Sequence, residues 1–214
     1  MLSQVLTLLS DRWDFFLWLC LEHLCISGIA IGLAAVIGLC IGIIMSEQQR
    51  VAPAMLGLVN IVYTIPAISM LGFLIPVSGI GNTTAVIALT IYALLPMVRG
   101  TYTGIRGIDP LLVEAAEAMG STRFQLLYKI KLPLAFLVIL SGVRNTVVMT
   151  IALTGIASFI GAGGLGVAIY RGISTNNTAM VLAGSLLIAA LAFIFDYSLG
   201  RLEKHVLAKR RISA

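Results

Sequence analysis

The stretch EAAEAMGSTRFQLLYKIKLP, residues 114–133, interrupts a chain that is otherwise apolar enough to live in lipid. Its local signals are those of two short helices joined at a glycine. Asp109-Pro110 supplies a start, an N-cap acceptor followed by proline at the first helical position. The residues LLVEAAEAMG are helix formers that stop at Gly120, which suits a left-handed C-terminal position. Thr122 and Gln125 are spaced as a capping box for a second helix, and Pro133 is expected to end that helix. Leu111, Ala115, Ala118 and Met119 share one face of the first helix, with Glu114 and Glu117 beside it. Such a face can seat in a groove of another protein, because alanines permit close approach.

The rest of the chain sets the scene for this elbow. Of its 214 residues 59% are hydrophobic and only 11% charged, whereas a soluble domain carries about 25% charge. A water-facing surface cannot be made from that composition, and the nearly charge-free runs 24–45 and 143–169 point to membrane spans. The expected fold is an all-α integral membrane domain over residues 1–214. Its five transmembrane helices lie at about 16–45, 53–77, 83–98, 134–160 and 178–199, with the elbow at 109–133. With the N-terminus outside, Arg50, Arg99, Arg106, Arg123, Lys129, Lys131, Arg201, Lys204, Lys209, Arg210 and Arg211 fall inside. Only Arg12 and Arg171 then fall outside, so the positive-inside rule puts the elbow and the C-terminus in the cytoplasm. No secretory signal peptide is expected. Cys20, Cys25 and Cys40 read as packing residues.

Several features invite sharper readings. GAGGLG, residues 161–166, fits G-x-G-x-x-G in letters, but a dinucleotide site also needs a preceding strand and a nearby acidic residue. A tight turn or a junction between broken helices, close to an external gate, is the better expectation. Arg144 is costly inside a membrane and must face protein or water. Asp196 lies at similar depth, so the two are expected to form an ion pair, either packing two spans together or gating. Tyr63, Thr64, Pro66 and Ser69 combine a mid-span proline with neighbouring hydroxyls. With Asn145, Thr146 and Thr150 they are the candidates for lining a pathway, a kinked packing helix being the alternative. Gly28-x-x-x-Gly32 and Gly38-x-x-x-Gly42 would let helices approach closely. Glu22 and His23 read as an interfacial anchor. No metal or catalytic constellation is expected, and no phosphate-binding loop occurs in the sequence.

The elbow also carries a resemblance. Glu114, Ala115 and Ala116, then three residues and Gly120, then nine residues and Ile130, Leu132 and Pro133, resemble the EAA loop of permease subunits in ATP-binding-cassette importers. That resemblance implies a type I importer-like fold and a non-catalytic subunit that binds no cofactor itself. It implies that the first elbow helix docks on one of two separate ATP-binding subunits, which hold ATP and Mg. One elbow per chain against two ATPases implies a dimer, with a second copy or a paralogue. Beyond the elbow, EHLCISGIAIGLAAVIGLCIGI, TIPAISMLGFLIPVSGIG, YALLPMVRGTYTGIRGIDPLLVEAAEAMG and FIGAGGLG are similar to permeases of osmoprotectant uptake systems for glycine betaine, carnitine and choline. Permeases of methionine importers are the near alternative, and a stand-alone secondary transporter a further one. Mid-membrane aromatics suited to a quaternary ammonium are few, chiefly Tyr63, Phe73 and Tyr92. Selectivity is therefore expected in a separate extracytoplasmic binding protein, since the chain ends at Ala214 without a fused one. Localisation in a bacterial plasma membrane follows, with lipid contact through the basic tail from Arg201. No nucleic-acid partner is expected, because short tethers hold the elbow at the membrane.

Overall fold

Long apolar runs become long helices because a backbone in lipid must satisfy its own hydrogen bonds. The structure, a computed structural model, describes residues 1–212, with side chains described as far as Ala208. The side chains of Lys209, Arg210 and Arg211, counted above among the inner cations, lie outside the described part. In chain order the helices are α1 (Leu2–Asp11), α2 (Trp13–Glu47), α3 (Ala52–Thr64), α4 (Ala67–Ser78), α5 (Asn82–Arg106), α6 (Pro110–Ala118), α7 (Arg123–Gln125), α8 (Leu132–Thr154), α9 (Gly166–Ser174) and α10 (Thr178–Ile212). The described residues contain no strand.

Four continuous helical stretches are long and apolar enough to cross a membrane: Trp13–Glu47, Asn82–Arg106, Arg123–Ile160 and Thr178–Ala208. The α3–α4 pair makes a fifth if it is counted as one span, but it bends by 97° at its break. The single helix expected over 53–77 is therefore two. Proline forces the residue before it out of the helical region, and Ile65 is extended at φ −70°, ψ 126°. Pro66 then starts α4 afresh. Pro133 does the reverse of what is expected, since the helix runs through it. A π-helical segment, Leu126–Lys131, precedes α8 and leads straight into it. A wider turn there relieves the clash a proline ring makes with the preceding turn. Helices α5 and α10 outrun the expected 83–98 and 178–199, and α1 and α9 are short helices that periodicity did not single out.

Glycines set how closely the bundle packs. A Cβ on Gly38 would come within 2.6 Å of Met97 Cβ, and one on Gly42 within 2.5 Å of Thr101 Cβ, so this pair seats α2 on α5. Gly100 and Gly142 face each other where α5 crosses α8, a Cβ on either lying just over 3 Å from the other's Cα. Gly28 and Gly32 have open space around them. At the elbow end of the bundle Ile105, Ala135 and Ile139 are buried against Leu39, Ile43, Ile108 and Leu132. Gly142→Val should therefore destabilise the chain by about 1–3 kcal/mol, the usual cost of overpacking. Gly32→Val, in open space, should leave stability unchanged. The midpoint of thermal unfolding in detergent separates the two.

Candidate functional site

The elbow is built by its caps. Asp109 accepts from the Leu111 N–H at 3.0 Å with Pro110 at the first helical position, so α6 starts where its orphan donors are met. It closes at Gly120, whose φ of +84° demands glycine, with Ser121 N–H returning to the Ala116 carbonyl at 3.1 Å. Thr122 and Gln125 form a reciprocal capping box, 3.3 Å from Gln125 N–H to Thr122 Oγ1 and 2.9 Å from Thr122 N–H to Gln125 Oε1. Of the seven motif residues, Ala116 is buried against the chain, Ile130 and Leu132 are half-buried, and Glu114, Ala115, Gly120 and Pro133 are exposed. Leu111 and Met119 are 70% and 87% exposed, an apolar face this chain does not cover itself. Phe124, stacked on Tyr128 at 5.7 Å, is exposed as well. Neither ring was picked out from the sequence, because their position depends on the turn at Gly120.

The expected pathway residues divide. At the Pro66 break the Tyr92 hydroxyl donates to the freed Ile65 carbonyl. Thr64, by contrast, turns back to the Ile61 carbonyl at 2.7 Å. Tyr63 lies edge-on to Tyr92 at 5.8 Å and donates to the Met149 sulfur at 3.1 Å. Tyr63, Thr64 and Pro66 are exposed and Ser69 is half-buried. Asn145 is exposed in a groove of about 550 Å³ that also takes in Arg99, Thr103, Ser141, Arg144 and Asp196. Thr146 and Thr150 are buried in the chain, at 0% and 1% exposure. Thr146 bonds the Gly142 carbonyl on its own helix at 2.9 Å. Both point into the bundle because the open side of α8 is the one carrying Ser141 and Asn145.

Arg144 and Asp196 meet in a bidentate pair, Nε to Oδ1 at 2.6 Å and Nη2 to Oδ2 at 2.7 Å. A third partner, Glu203, accepts from Nη1 at 3.3 Å. Glu203 lies seven residues beyond Asp196, two turns on the same face of α10. That heptad offset is the signal by which it could have been found.

At the opposite end of the bundle, residues 161–166 turn with positive φ at Gly161 and Gly164. A 3-10 segment, Gly155–Ile160, precedes them, so the dinucleotide pattern lacks its strand. Glu22 and His23 hold this loop and are not the simple anchor expected. Gly164 N–H donates to Glu22 Oε2 at 3.0 Å and Gly163 N–H to Asn82 Oδ1 at 2.8 Å. His23 is fully buried; its Nδ1 accepts from Leu165 N–H at 3.3 Å and its Nε2 meets the Ile151 carbonyl at 2.9 Å. Those two bonds require the tautomer with hydrogen on Nε2. The Ile151 carbonyl is free for it because Gly155 N–H turns to the Ala152 and Leu153 carbonyls as the helix tightens.

With this geometry in view, comparison with known proteins decides the family. Residues 34–208 match the model of the binding-protein-dependent transport system inner membrane component. The chain belongs to that family. Among its relatives, the carnitine transport permease protein OpuCD of Listeria monocytogenes is 42% identical over 184 residues, 86% of this chain and 82% of that protein. The glycine betaine/carnitine/choline transport system permease protein OpuCD of Bacillus subtilis is 40% identical over 204 residues, 95% of this chain and 89% of that one. A solved structure of the MetNI methionine ABC transporter in an inward facing conformation superposes with a TM-score of 0.81, covering 89% of this chain and 97% of that one at 24% identity, which speaks for the fold. The expected type I importer-like, all-helical fold is thus found, in a transport permease of a bacterial inner membrane. Within this permease, Arg144→Asp and Asp196→Arg should each lower the thermal unfolding midpoint by breaking the bidentate pair that joins α8 to α10 at the groove. The double exchange should recover most of the loss, and a melting series on the three variants checks this.

Proposed function

We propose that this permease is the membrane passage of an ATP-driven importer of osmoprotectants, glycine betaine, carnitine, choline or a similar quaternary ammonium compound. The observation that carries the reading is the near full-length likeness, at about 40% identity, to permeases named for those solutes. The methionine alternative has support only from the fold, at lower identity. The elbow supplies the drive. Its first helix, α6, presents Glu114, Ala115, Leu111 and Met119 outward, a surface suited to a cleft on an ATP-binding subunit. Two such subunits bind ATP and Mg and close together, and the docked elbows carry that movement into the spans, which then alternate access. The chain itself performs no catalysis.

Two elbows require two permeases, this chain with its own copy or with a paralogue. The N-terminus lies outside and the elbow and C-terminus in the cytoplasm, the arrangement that puts the elbow where ATP is. A separate extracytoplasmic binding protein selects the solute. The permease adds the exposed side of α3, α5 and α8 as the passage, with Tyr63, Thr64 and Pro66 at the break and Asn145 in the polar groove. Ser69 sits half-buried on the far side of the same break.

The test is uptake of labelled glycine betaine and of methionine into vesicles holding the assembled complex, with and without internal ATP. ATP-dependent betaine uptake is expected. Gly120→Asp should cut it about tenfold, since a side chain in the left-handed region costs roughly 1–2 kcal/mol and distorts the docking face. ATP-dependent methionine uptake instead would replace the substrate class. Uptake indifferent to ATP would end the importer reading.

A further inference from the structure

The elbow and the glycine-rich loop are the two ends of one helical stretch, Arg123–Ile160. A second helix is fastened to both. Beside the elbow, the last residue of α2, Glu47, takes Lys131 Nζ at 2.6 Å, and Lys131 is only 16% exposed. Ser46, Glu114 and Lys131 share a small pocket there, between α2 and the first elbow helix. Beside the loop, Glu22 and His23 of the same α2 accept the Gly164 and Leu165 N–H groups. His23 also reaches the Ile151 carbonyl.

Between these fastenings α2 runs unbroken, with no proline in its 35 residues. Glu22 and Glu47 stand roughly 37 Å apart along its axis at 1.5 Å per residue. Other routes from the elbow are interrupted: α5 carries Pro96, and the Arg123–Ile160 stretch changes from π to α to 3-10 helix along its length. Gly38 and Gly42 seat α2 on α5 at the elbow half, so the strut is braced where the load enters.

We propose that α2 is a strut that carries displacement of the elbow to the glycine-rich loop, with Glu47 and Lys131 as the near fastening and Glu22 and His23 as the far one. These are positioning residues of the transport cycle, since they act on the passage through the loop they hold. The proposal rests on the importer reading only for the source of the displacement. The mechanical link itself is a property of the chain.

Hydrogen–deuterium exchange of the full chain in lipid nanodiscs tests the link without any transport. In Glu47→Lys and in Lys131→Glu, exchange at the Gly163, Gly164 and Leu165 amides should quicken roughly threefold or more, the change in local opening expected when one ordinary ion pair is lost. The exchanged pair, Glu47→Lys with Lys131→Glu, should return exchange to the wild-type rate. In the assembled complex the single variants should spend more ATP per solute imported, and the exchanged pair should restore the ratio. Loop amides that ignore both single variants, or that stay fast in the exchanged pair, would overturn the strut. A wild-type complex that imports nothing with ATP would overturn the importer reading, while the exchange result would still judge the strut.

Discussion

A backbone polar group in hydrocarbon has no water to turn to, and the chain answers to that constraint at Ile65, at Ile151 and in the loop past Gly161. At Ile65 the freed carbonyl is met by the Tyr92 hydroxyl. At Ile151 it is met by His23, and past Gly161 the loop amides are met by Asn82, Glu22 and His23. Before Pro133 the helix widens into a π segment and continues into α8. At Ile65, Ile151 and residues 163–165 the partner comes from another helix, and those partners tie α2, α3, α5 and α8 into one frame.

Charge obeys the same rule. Arg144 is tolerable because two carboxylates of α10 hold it, Asp196 with both oxygens and Glu203 at the edge. That cluster sits between α8 and α10, whereas the glycine-lined crossings at Gly100–Gly142 and Gly38–Met97 bring α5 against α8 and α2. Gly200 of α10 leaves the room in which the Arg144 guanidinium lies, a Cβ there coming within 3.1 Å of it. The groove beside that cluster carries Arg99, Thr103, Ser141 and Asn145 along with Arg144 and Asp196 themselves, and Arg99 donates to Asn60 at 3.1 Å.

The elbow differs from the rest in being specified almost wholly by neighbours in sequence. An N-cap, a proline, a left-handed glycine and a capping box each act over three or four residues, so the Asp109, Gly120 and Thr122 signals could be read directly and the structure has them in place. The surface it presents follows, because a helix of nine residues has its faces fixed once its ends are fixed.

By itself the sequence determined the all-helical membrane class, the elbow and its motif, which rest on composition or on local spacing, whereas the Arg144–Asp196 pair, 52 residues apart, was an expectation from similar depth that the packed helices realise. It did not determine the 97° bend at Pro66, the burial of Thr146 and Thr150, or the passage of the helix through Pro133. Nor did it show that Glu22, His23 and Asn82 converge on residues 163–165, 142 residues further along the chain in the case of Glu22. Those outcomes depend on which helix faces which. Hydropathy gives a transmembrane helix its length, but its rotation about its own axis is set by contacts with helices distant in sequence, and only the packed bundle decides them.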